Sequence, residues 1–75
     1  MVNTKEVSLM SLNINGDAFE IDRLMTIAEL IECLEIEGKR IAIELNGQVI
    51  KRSLWPTYTL SDNDQIEILE FVGGG

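Results

Sequence analysis

The stretch that decides the fold is MSLNINGDAFEID, residues 10–22. In its first half, apolar and polar residues alternate, which is the period of a strand with one buried face. The positions expected to face the core are Met10, Leu12 and Ile14. The pair Asn15-Gly16 follows, and both residues accept the positive φ that a two-residue hairpin turn requires. Alternation then resumes with Phe19 and Ile21 facing inward, so the stretch predicts a β-hairpin.

The next segment, MTIAELIECLEIEGKR at residues 25–40, has the spacing of an amphipathic helix. Thr26 and Glu29 are placed to form a capping box at its amino end. The positions that share one apolar stripe, at i, i+3, i+4 and i+7, are Ile27, Leu30, Ile31 and Leu34. Gly38 is expected to end the helix, with Lys39 and Arg40 just beyond it at the negative end of the dipole. A single helix with one apolar stripe needs a sheet to cover that stripe.

A second hairpin and a final strand follow the helix. Residues 41–45 alternate between apolar and polar, and Asn46-Gly47 repeats the hairpin signal. The sequence DND at residues 62–64 is typical of a turn, and it leads into a last strand within residues 65–72. The residues of that strand expected to face inward are Ile66 and Ile68.

The predicted elements occur in the order ββαβ(β)β, which is an α+β arrangement with one helix packed on one face of a mixed sheet. That order is typical of the β-grasp fold. A right-handed crossover after the first hairpin places the last strand beside the first one. We expect one domain over residues 1–75, in which residues 1–8 stand before the first strand as an extension and residues 73–75 form a flexible tail.

The composition disfavours several classes of function. With 13 acidic and 6 basic residues the chain has a formal charge of −7, which disfavours nucleic acid as a partner. The chain has no histidine, the commonest general base, and its single cysteine, Cys33, allows no internal disulfide. Its apolar runs are too short to span a bilayer, and its first residues lack a signal-peptide core. We therefore expect a protein of the cytoplasm, or of an organelle reached by a presequence no longer present, with no membrane partner and few catalytic groups.

The last residues, Gly73, Gly74 and Gly75, add no side chain to a core, and two interpretations are open for them. They form either a frayed end or a tail narrow enough to enter a tunnel and place its carboxylate beside another enzyme's nucleotide. A carboxylate becomes an acyl donor only when its oxygen is converted into a leaving group, as adenylation by ATP does. A sulfur or amine nucleophile can then attack the activated carbonyl.

The second half of the chain contains four distinctive pieces: AIELNGQVI, RSLW, TLSDNDQIEI and the closing FVGGG. Together they resemble the ThiS family, the ubiquitin-like sulfur carriers of thiamine thiazole biosynthesis. The first half is similar more loosely, through LNINGDAFEI and TIAELIECL. Many family members have proline where this chain has Lys51 and a DGD turn where it has DND. The resemblance covers nearly the whole chain from Leu9 onward.

The resemblance implies a chemical role for the α-carboxylate of Gly75. An adenylyltransferase similar to ubiquitin-activating enzymes would adenylate it with ATP and Mg²⁺, and a cysteine desulfurase or equivalent donor would supply sulfur for a thiocarboxylate. Thiazole synthase would then take that sulfur. The chain would bind no cofactor and would be a co-substrate rather than an enzyme. Two alternatives stay open: the small subunit of molybdopterin synthase, and a ubiquitin-like module that is conjugated to lysines.

The residues that precede the glycines are candidates for docking these partners: Leu69, Phe71 and Val72. If a shift of the alternation after Ile68 turns Leu69 and Phe71 away from the core, they form an apolar patch close to the tail. The alternative is a small bulge with both residues buried.

The loop and the helix contain two further groups of interest. Trp55, Pro56 and Tyr58 are expected to fill the gap between the helix and the sheet edge, with the polar tips of Trp and Tyr in water. Cys33 borders the apolar stripe, so we expect a buried structural thiol rather than a sulfur-relay site.

Overall fold

A computed structural model describes residues 9–37 and 40–71 of the chain. These residues form one five-stranded sheet with an α-helix packed on one face. The elements, in chain order, are β1 (Met10–Ile14), β2 (Asp17–Ile21), α1 (Ile27–Cys33), β3 (Ile41–Leu45), β4 (Gln48–Ile50), a 3₁₀ turn (Arg52–Leu54) and β5 (Gln65–Glu70). Within these ranges, no helix is long and apolar enough to cross a bilayer.

The strand order across the sheet is β2-β1-β5-β3-β4, so the last strand of the chain is the central strand of the sheet. β5 runs parallel to β1 and antiparallel to β3, while each hairpin is antiparallel. The prediction that the crossover sets the last strand beside the first is confirmed. The chain therefore leaves the sheet from its middle rather than from an edge.

Both hairpins turn as the sequence predicts. The φ angles are 51° at Asn15 and 90° at Gly16, and 50° at Asn46 and 87° at Gly47. Positive φ at both central residues is the property of a type I′ turn, whose twist matches that of the flanking strands. Asn63 has a φ of 69°, so the DND turn also uses an asparagine in the left-handed region.

The core lies between the helix and the inner face of the sheet. Two patterns predict this: the alternation of apolar residues in the strands and the i, i+3, i+4, i+7 spacing of apolar residues in the helix. Each layer contributes residues that are almost fully buried: Leu12, Ile43 and Ile66 from the sheet, and Ile27 and Leu30 from the helix. Half-buried side chains surround this centre, namely Met10, Ile14, Phe19, Leu34, Ile36 and Ile68. The helix and the sheet thus cover each other's apolar surface.

The start of the helix is held by its own cap and by the loop that precedes β5. Thr26 Oγ1 accepts a hydrogen bond from Glu29 N (3.1 Å), and Glu29 Oε1 accepts one from Thr26 N (2.9 Å), which confirms the capping box. The first two helical N–H groups donate to the carbonyls of Tyr58 (3.0 Å) and Trp55 (3.1 Å). Because these donors lack partners inside a helix, their bonds fix the loop against the helix end.

The helix ends earlier than the sequence predicts. α1 ends at Cys33, and the left-handed residue that stops it is Glu35, with a φ of 58°, instead of Gly38. The N–H groups of Glu35 and Ile36 donate back into the last turn (3.0 and 3.3 Å), in the two-bond pattern of a Schellman motif. This turn lets the half-buried Ile36 pack on the core. We infer that this packing offsets the strain of a left-handed glutamate.

Arg40 does not lie at the end of the helix. Within the described residues, the last turn of α1 contains no basic side chain, and Arg40 directly precedes β3. The predicted contact between Arg40 and the helix dipole is therefore wrong, because several residues separate the end of the helix from Arg40. Gly38 and Lys39 lie outside the described residues.

Trp55 fills the gap beside the sheet edge, as predicted, but its polar tip does not reach water. The ring is buried, and Nε1 donates to the carbonyl of Ile50 at 3.1 Å. The prediction of a solvated indole N–H is wrong because this carbonyl replaces water as its acceptor. Pro56 and Tyr58 are exposed, so the tryptophan alone of the three occupies the gap.

Candidate functional site

β5 and the residue directly after it present two of the predicted docking residues on the face of the sheet that the helix does not cover. Ile66 is buried and Ile68 is half-buried on the inner face, whereas Leu69 and Phe71 are 43% and 59% exposed. The register between β5 and β3 is continuous over five residue pairs, without a bulge. The predicted shift after Ile68 is therefore wrong, because ordinary alternation already turns Leu69 and Phe71 outward.

The end of β5 is tied to the start of β3. Phe71 N donates to the carbonyl of Arg40 at 2.7 Å, so the ladder extends one residue beyond the strand. Next to this bond, Nη2 of Arg52 donates to the carbonyl of Ile41 at 3.1 Å. The Arg52 guanidinium carbon also lies 4.5 Å from the centroid of the Trp55 ring. These contacts fix the point from which the tail departs.

The remaining predicted site residues lie outside the described part of the chain: Val72, Gly73, Gly74 and Gly75. Docking by Val72, threading by the next two glycines and sulfur attachment at Gly75 therefore stay predictions. The structure does define the residue that precedes them, Phe71, at the end of the central strand.

The uncovered side of β3, β4 and β5 combines apolar and acidic side chains. We call it the open sheet face, and its members are Ala42, Glu44, Val49, Glu67, Leu69 and Phe71. Glu44 and Glu67 are direct partners in the β3–β5 register, and Val49 is opposite Glu44 on its other side. Like charges in directly opposite positions destabilise a sheet, so this glutamate pair is unfavourable for the free domain.

Two asparagines bind β5 from the two hairpins that flank it. At the start of the strand, Asn46 Oδ1 accepts a hydrogen bond from Gln65 N at 2.9 Å. Near its end, Asn15 Oδ1 accepts one from Ile68 N at 2.7 Å, and Asn15 Nδ2 lies 3.4 Å from the Ile68 carbonyl. In the sequence, both asparagines are recognisable only as turn residues. The feature of the sequence that could have indicated this second role is the side-chain amide, which both donates and accepts hydrogen bonds.

The prediction of a buried thiol is wrong, because Cys33 is exposed. With 3.6 residues per turn, position 33 lies roughly 110° around the helix axis from the centre of the apolar stripe. It therefore lies on the flank of the helix, next to the side that carries Glu29 and Glu32. Its exposure alone gives it no role in sulfur transfer.

These features define a small β-grasp domain whose central strand leads to its carboxyl-terminal segment. The family model of the ThiS family matches residues 12–75. The chain is 38% identical over 50 residues to the sulfur carrier protein ThiS of Bacillus subtilis, covering 67% of this chain and 76% of that protein. The chain therefore belongs to the ThiS family.

Two further similarities agree with this assignment. A crystal structure of ThiS from Geobacter metallireducens matches the fold with a TM-score of 0.79 at 33% identity, over 88% of this chain and 100% of that one. The chain is also 32% identical over 66 residues to the thiazole synthase of Paramagnetospirillum magneticum. That match covers 88% of this chain but only 20% of the longer protein.

Proposed function

We propose that this chain is a sulfur carrier of thiamine biosynthesis that acts in the cytoplasm and carries sulfur on the carboxyl group of Gly75. Its activating partner is an adenylyltransferase that uses ATP and Mg²⁺. Its sulfur donor is a cysteine desulfurase or an equivalent persulfide source, and its acceptor is thiazole synthase. The chain itself binds no cofactor and catalyses none of these steps.

The observation that carries this proposal is the ThiS family match through residue 75, on a domain whose last strand is the central one. Hydrogen bonds to both neighbouring strands hold β5, so the residues after it start from a fixed point. A tail that departs from such a point can enter a partner's active site while the folded domain stays docked outside.

The chemistry requires an unhindered carboxyl group at the end of that tail. One carboxylate oxygen of Gly75 attacks the α-phosphate of ATP, and pyrophosphate leaves. The resulting mixed anhydride makes AMP a leaving group, and the terminal sulfur of the donor's persulfide attacks the carbonyl carbon and expels AMP. A thiol then reduces the acyl disulfide that forms, which leaves a thiocarboxylate on Gly75 and places the donor sulfur in a new disulfide with that thiol. Glycine suits the approach because it has no Cβ, which leaves the tail narrow enough for a confined active site.

The open sheet face supports docking to these partners beside the tail. Leu69 in β5 and Phe71 directly after this strand expose large apolar side chains two residues apart. Exposed aromatic residues surrounded by polar or charged residues are typical of the centre of an interface. Glu44 and Glu67 add negative charge to the same face, so the matching partner surface combines an apolar pocket with arginine or lysine side chains.

Thiazole synthase as the acceptor is supported by the relative from Paramagnetospirillum magneticum. One fifth of that protein, which bears the name thiazole synthase, matches 88% of this chain. A carrier-like segment within a protein of that name is expected if the carrier and the synthase act on the same sulfur atom.

The proposal is tested by mass spectrometry of the full chain after incubation with ATP, Mg²⁺, a ThiS-activating adenylyltransferase and sulfide. We expect a mass gain equal to the exchange of one oxygen atom for one sulfur atom. A variant with a tryptophan added after Gly75 is the matched control, because its body is unchanged while its carboxyl group is displaced. That variant is expected to stay unloaded.

Two outcomes would contradict the proposal. Loading of the blocked variant would show that the Gly75 carboxyl group is not the attachment site. Formation of adducts with lysines of other proteins, without sulfur, would instead indicate a conjugating module. Co-purification with thiazole synthase is expected, whereas co-purification with molybdopterin synthase would assign the carrier to the other pathway.

A further inference from the structure

We propose that the side chain of Asn15 is a positioning residue for the tail. Its amide extends the β1–β5 ladder past the first hairpin and holds the end of β5 in the direction that delivers the carboxyl group to the activating enzyme. This inference rests on the proposed function and concerns a residue far from the carboxyl end in sequence.

The hydrogen bonds along the edge of β5 that faces β1 form a regular series. Asn13 N donates to the carbonyl of Asp64, and Asn15 N donates to the carbonyl of Ile66, both at 2.9 Å. The next carbonyl that faces this edge belongs to Ile68, and Asn15 Nδ2 lies 3.4 Å from it. The acceptors thus advance by two residues, which is the period of a strand, although the third donor is a side chain.

The same amide also supplies the acceptor for Ile68. Its two contacts with Ile68 together form one rung of the ladder, which is a donor and an acceptor from the same neighbour. Asn15 Oδ1 accepts from Ile68 N at 2.7 Å, the shorter of the two contacts with Ile68. One side-chain amide thereby offers Ile68 both a donor and an acceptor, as a peptide group of a neighbouring strand does. The side chain of Asn15 acts as one additional residue of β1.

The topology explains why this additional rung is needed. β1 ends at Ile14 and the chain turns away at Asn15-Gly16, whereas β5 continues to Glu70. Without the Asn15 amide, the described contacts of the last residues of β5 would come from β3 alone, ending with the bond from Phe71 N to the carbonyl of Arg40. A strand end held along one edge retains freedom to bend toward the other edge.

Asparagine meets two requirements at this position. The backbone needs a residue that accepts a φ of 51°, which glycine, asparagine and aspartate do most readily. The strand needs an amide within reach of Ile68. Glycine satisfies the first requirement only, while aspartate keeps the acceptor for Ile68 N and loses the donor. These differences define a series of variants.

Asn46 provides a matched control on the same strand. It also has a left-handed backbone, with a φ of 50°, and its Oδ1 accepts from Gln65 N at 2.9 Å. Its contacts lie at the start of β5, at the end opposite to the tail. Asn15→Gly and Asn46→Gly therefore remove the same chemical group from equivalent turns, at opposite ends of the strand that carries the tail.

The first test is amide hydrogen exchange of the full-length chain, followed by NMR. In Asn15→Gly we expect the exchange of Ile68 to rise by about 10-fold or more, because its N–H loses its acceptor. In Asn46→Gly we expect that change at Gln65 and not at Ile68. Unchanged protection of Ile68 in Asn15→Gly would overturn the proposed rung.

The second test is the steady-state rate of adenylation by a purified ThiS-activating adenylyltransferase. For Asn15→Gly we expect kcat to fall by about 10-fold through misalignment of the tail, and KM to change much less because the open sheet face is intact. Asn46→Gly is expected to keep its kcat within about twofold, and Asn15→Asp to recover most of the rate, since the 2.7 Å bond is retained.

The outcomes separate this inference from the proposed function. Equal kcat values for Asn15→Gly and Asn46→Gly would overturn the positioning role, even if both variants were equally stable by thermal unfolding. Failure of the unaltered chain to be adenylated would instead overturn the proposed function. In that case the exchange rate of Ile68 still decides whether the Asn15 amide supports the end of β5.

Discussion

The two faces of the sheet have opposite relations to stability. The inner face is covered by the helix, and its central residues are almost fully buried, as Ile43 and Ile66 are. The open sheet face carries a pair of opposed glutamates and exposes Leu69 and Phe71, none of which benefits the free domain. Adjacent residues of one strand thus have different roles. Residues on the inner face stabilise the fold, and residues on the open sheet face are available to partners.

The largest expected effect comes from Ile66→Ala on the inner face. Truncation of this buried side chain leaves a cavity and is expected to lower the free energy of unfolding by about 3 kcal/mol. Leu69→Ala removes a side chain of the same size from the opposite face of β5, and is expected to lower it by less than about 1 kcal/mol. Urea denaturation of both variants measures the difference. Equal losses would show that Leu69 belongs to the core.

Phe71→Ala tests the open sheet face. We expect its affinity for the adenylyltransferase to fall by about 10-fold or more, since exposed aromatic side chains are common interface anchors. Its unfolding free energy is expected to stay within about 0.5 kcal/mol of the original. Leu24→Ala, which alters a side chain 71% exposed in the loop before the helix, is the control and should leave affinity unchanged. Calorimetric titration and thermal unfolding measure the two quantities, and a large loss of stability with unchanged affinity would contradict the assignment.

Glu35→Gly alters the turn that ends the helix and leaves the residues of the open sheet face unchanged. Glycine occupies the left-handed region without the Cβ clash of glutamate, so we expect the free energy of unfolding to rise by about 0.5–1 kcal/mol. Glu37→Gly removes the same charge where the backbone has no positive φ, and is expected to give no such gain. Affinity for the adenylyltransferase should be unchanged in both. A loss of stability in Glu35→Gly would show that the glutamate side chain supports the turn.

The smallest expected effect has opposite signs in stability and in binding. Glu44→Gln removes the repulsion from Glu67 and is expected to raise the free energy of unfolding by about 0.3 kcal/mol at low salt, less at high salt. The association rate with a basic partner surface should fall at the same time.

Glu20→Gln is the control for the glutamate pair, because Glu20 is opposite Ser11 and has no acidic residue directly across the ladder. It should leave stability unchanged. Urea denaturation at two salt concentrations measures the effect on stability. Stopped-flow association with the adenylyltransferase measures the effect on binding. A destabilised Glu44→Gln would mean that the glutamate pair is held by contacts other than those described.

The hairpins, the helix start and the core were predictable from sequence because they depend on neighbouring residues. The Asn-Gly pairs form the turns, and Thr26 and Glu29 form the cap. The apolar spacing in the strands and in the helix determines which faces are buried. The outward face of Leu69 was also within reach, since strict alternation from Ile66 predicts it. The end of the helix was not, because the helix stops before the left-handed Glu35, where Ile36 packs on the core, and this tertiary contact cannot be read from the local sequence.

The contacts of the side-chain amides lay beyond sequence reasoning for another reason. Asn15 and Ile68 are 53 residues apart, so their hydrogen bonds exist only once the crossover has placed β5 beside β1. The indole of Trp55 likewise finds its acceptor only when β4 and the loop have come together. Local patterns specify which faces are buried, whereas specific polar partners follow from the assembled topology.

The central place of β5 has a mechanical consequence. A partner that grips the carboxyl end and pulls along the strand loads the hydrogen bonds to β1 and β3 together, in shear, so no single bond can open first. Peeling, which breaks bonds one at a time, requires an edge strand, and this sheet has β2 and β4 at its edges. The sheet should therefore resist a force that is applied along β5. Single-molecule pulling from the carboxyl end should need more force than pulling β4 away from the sheet.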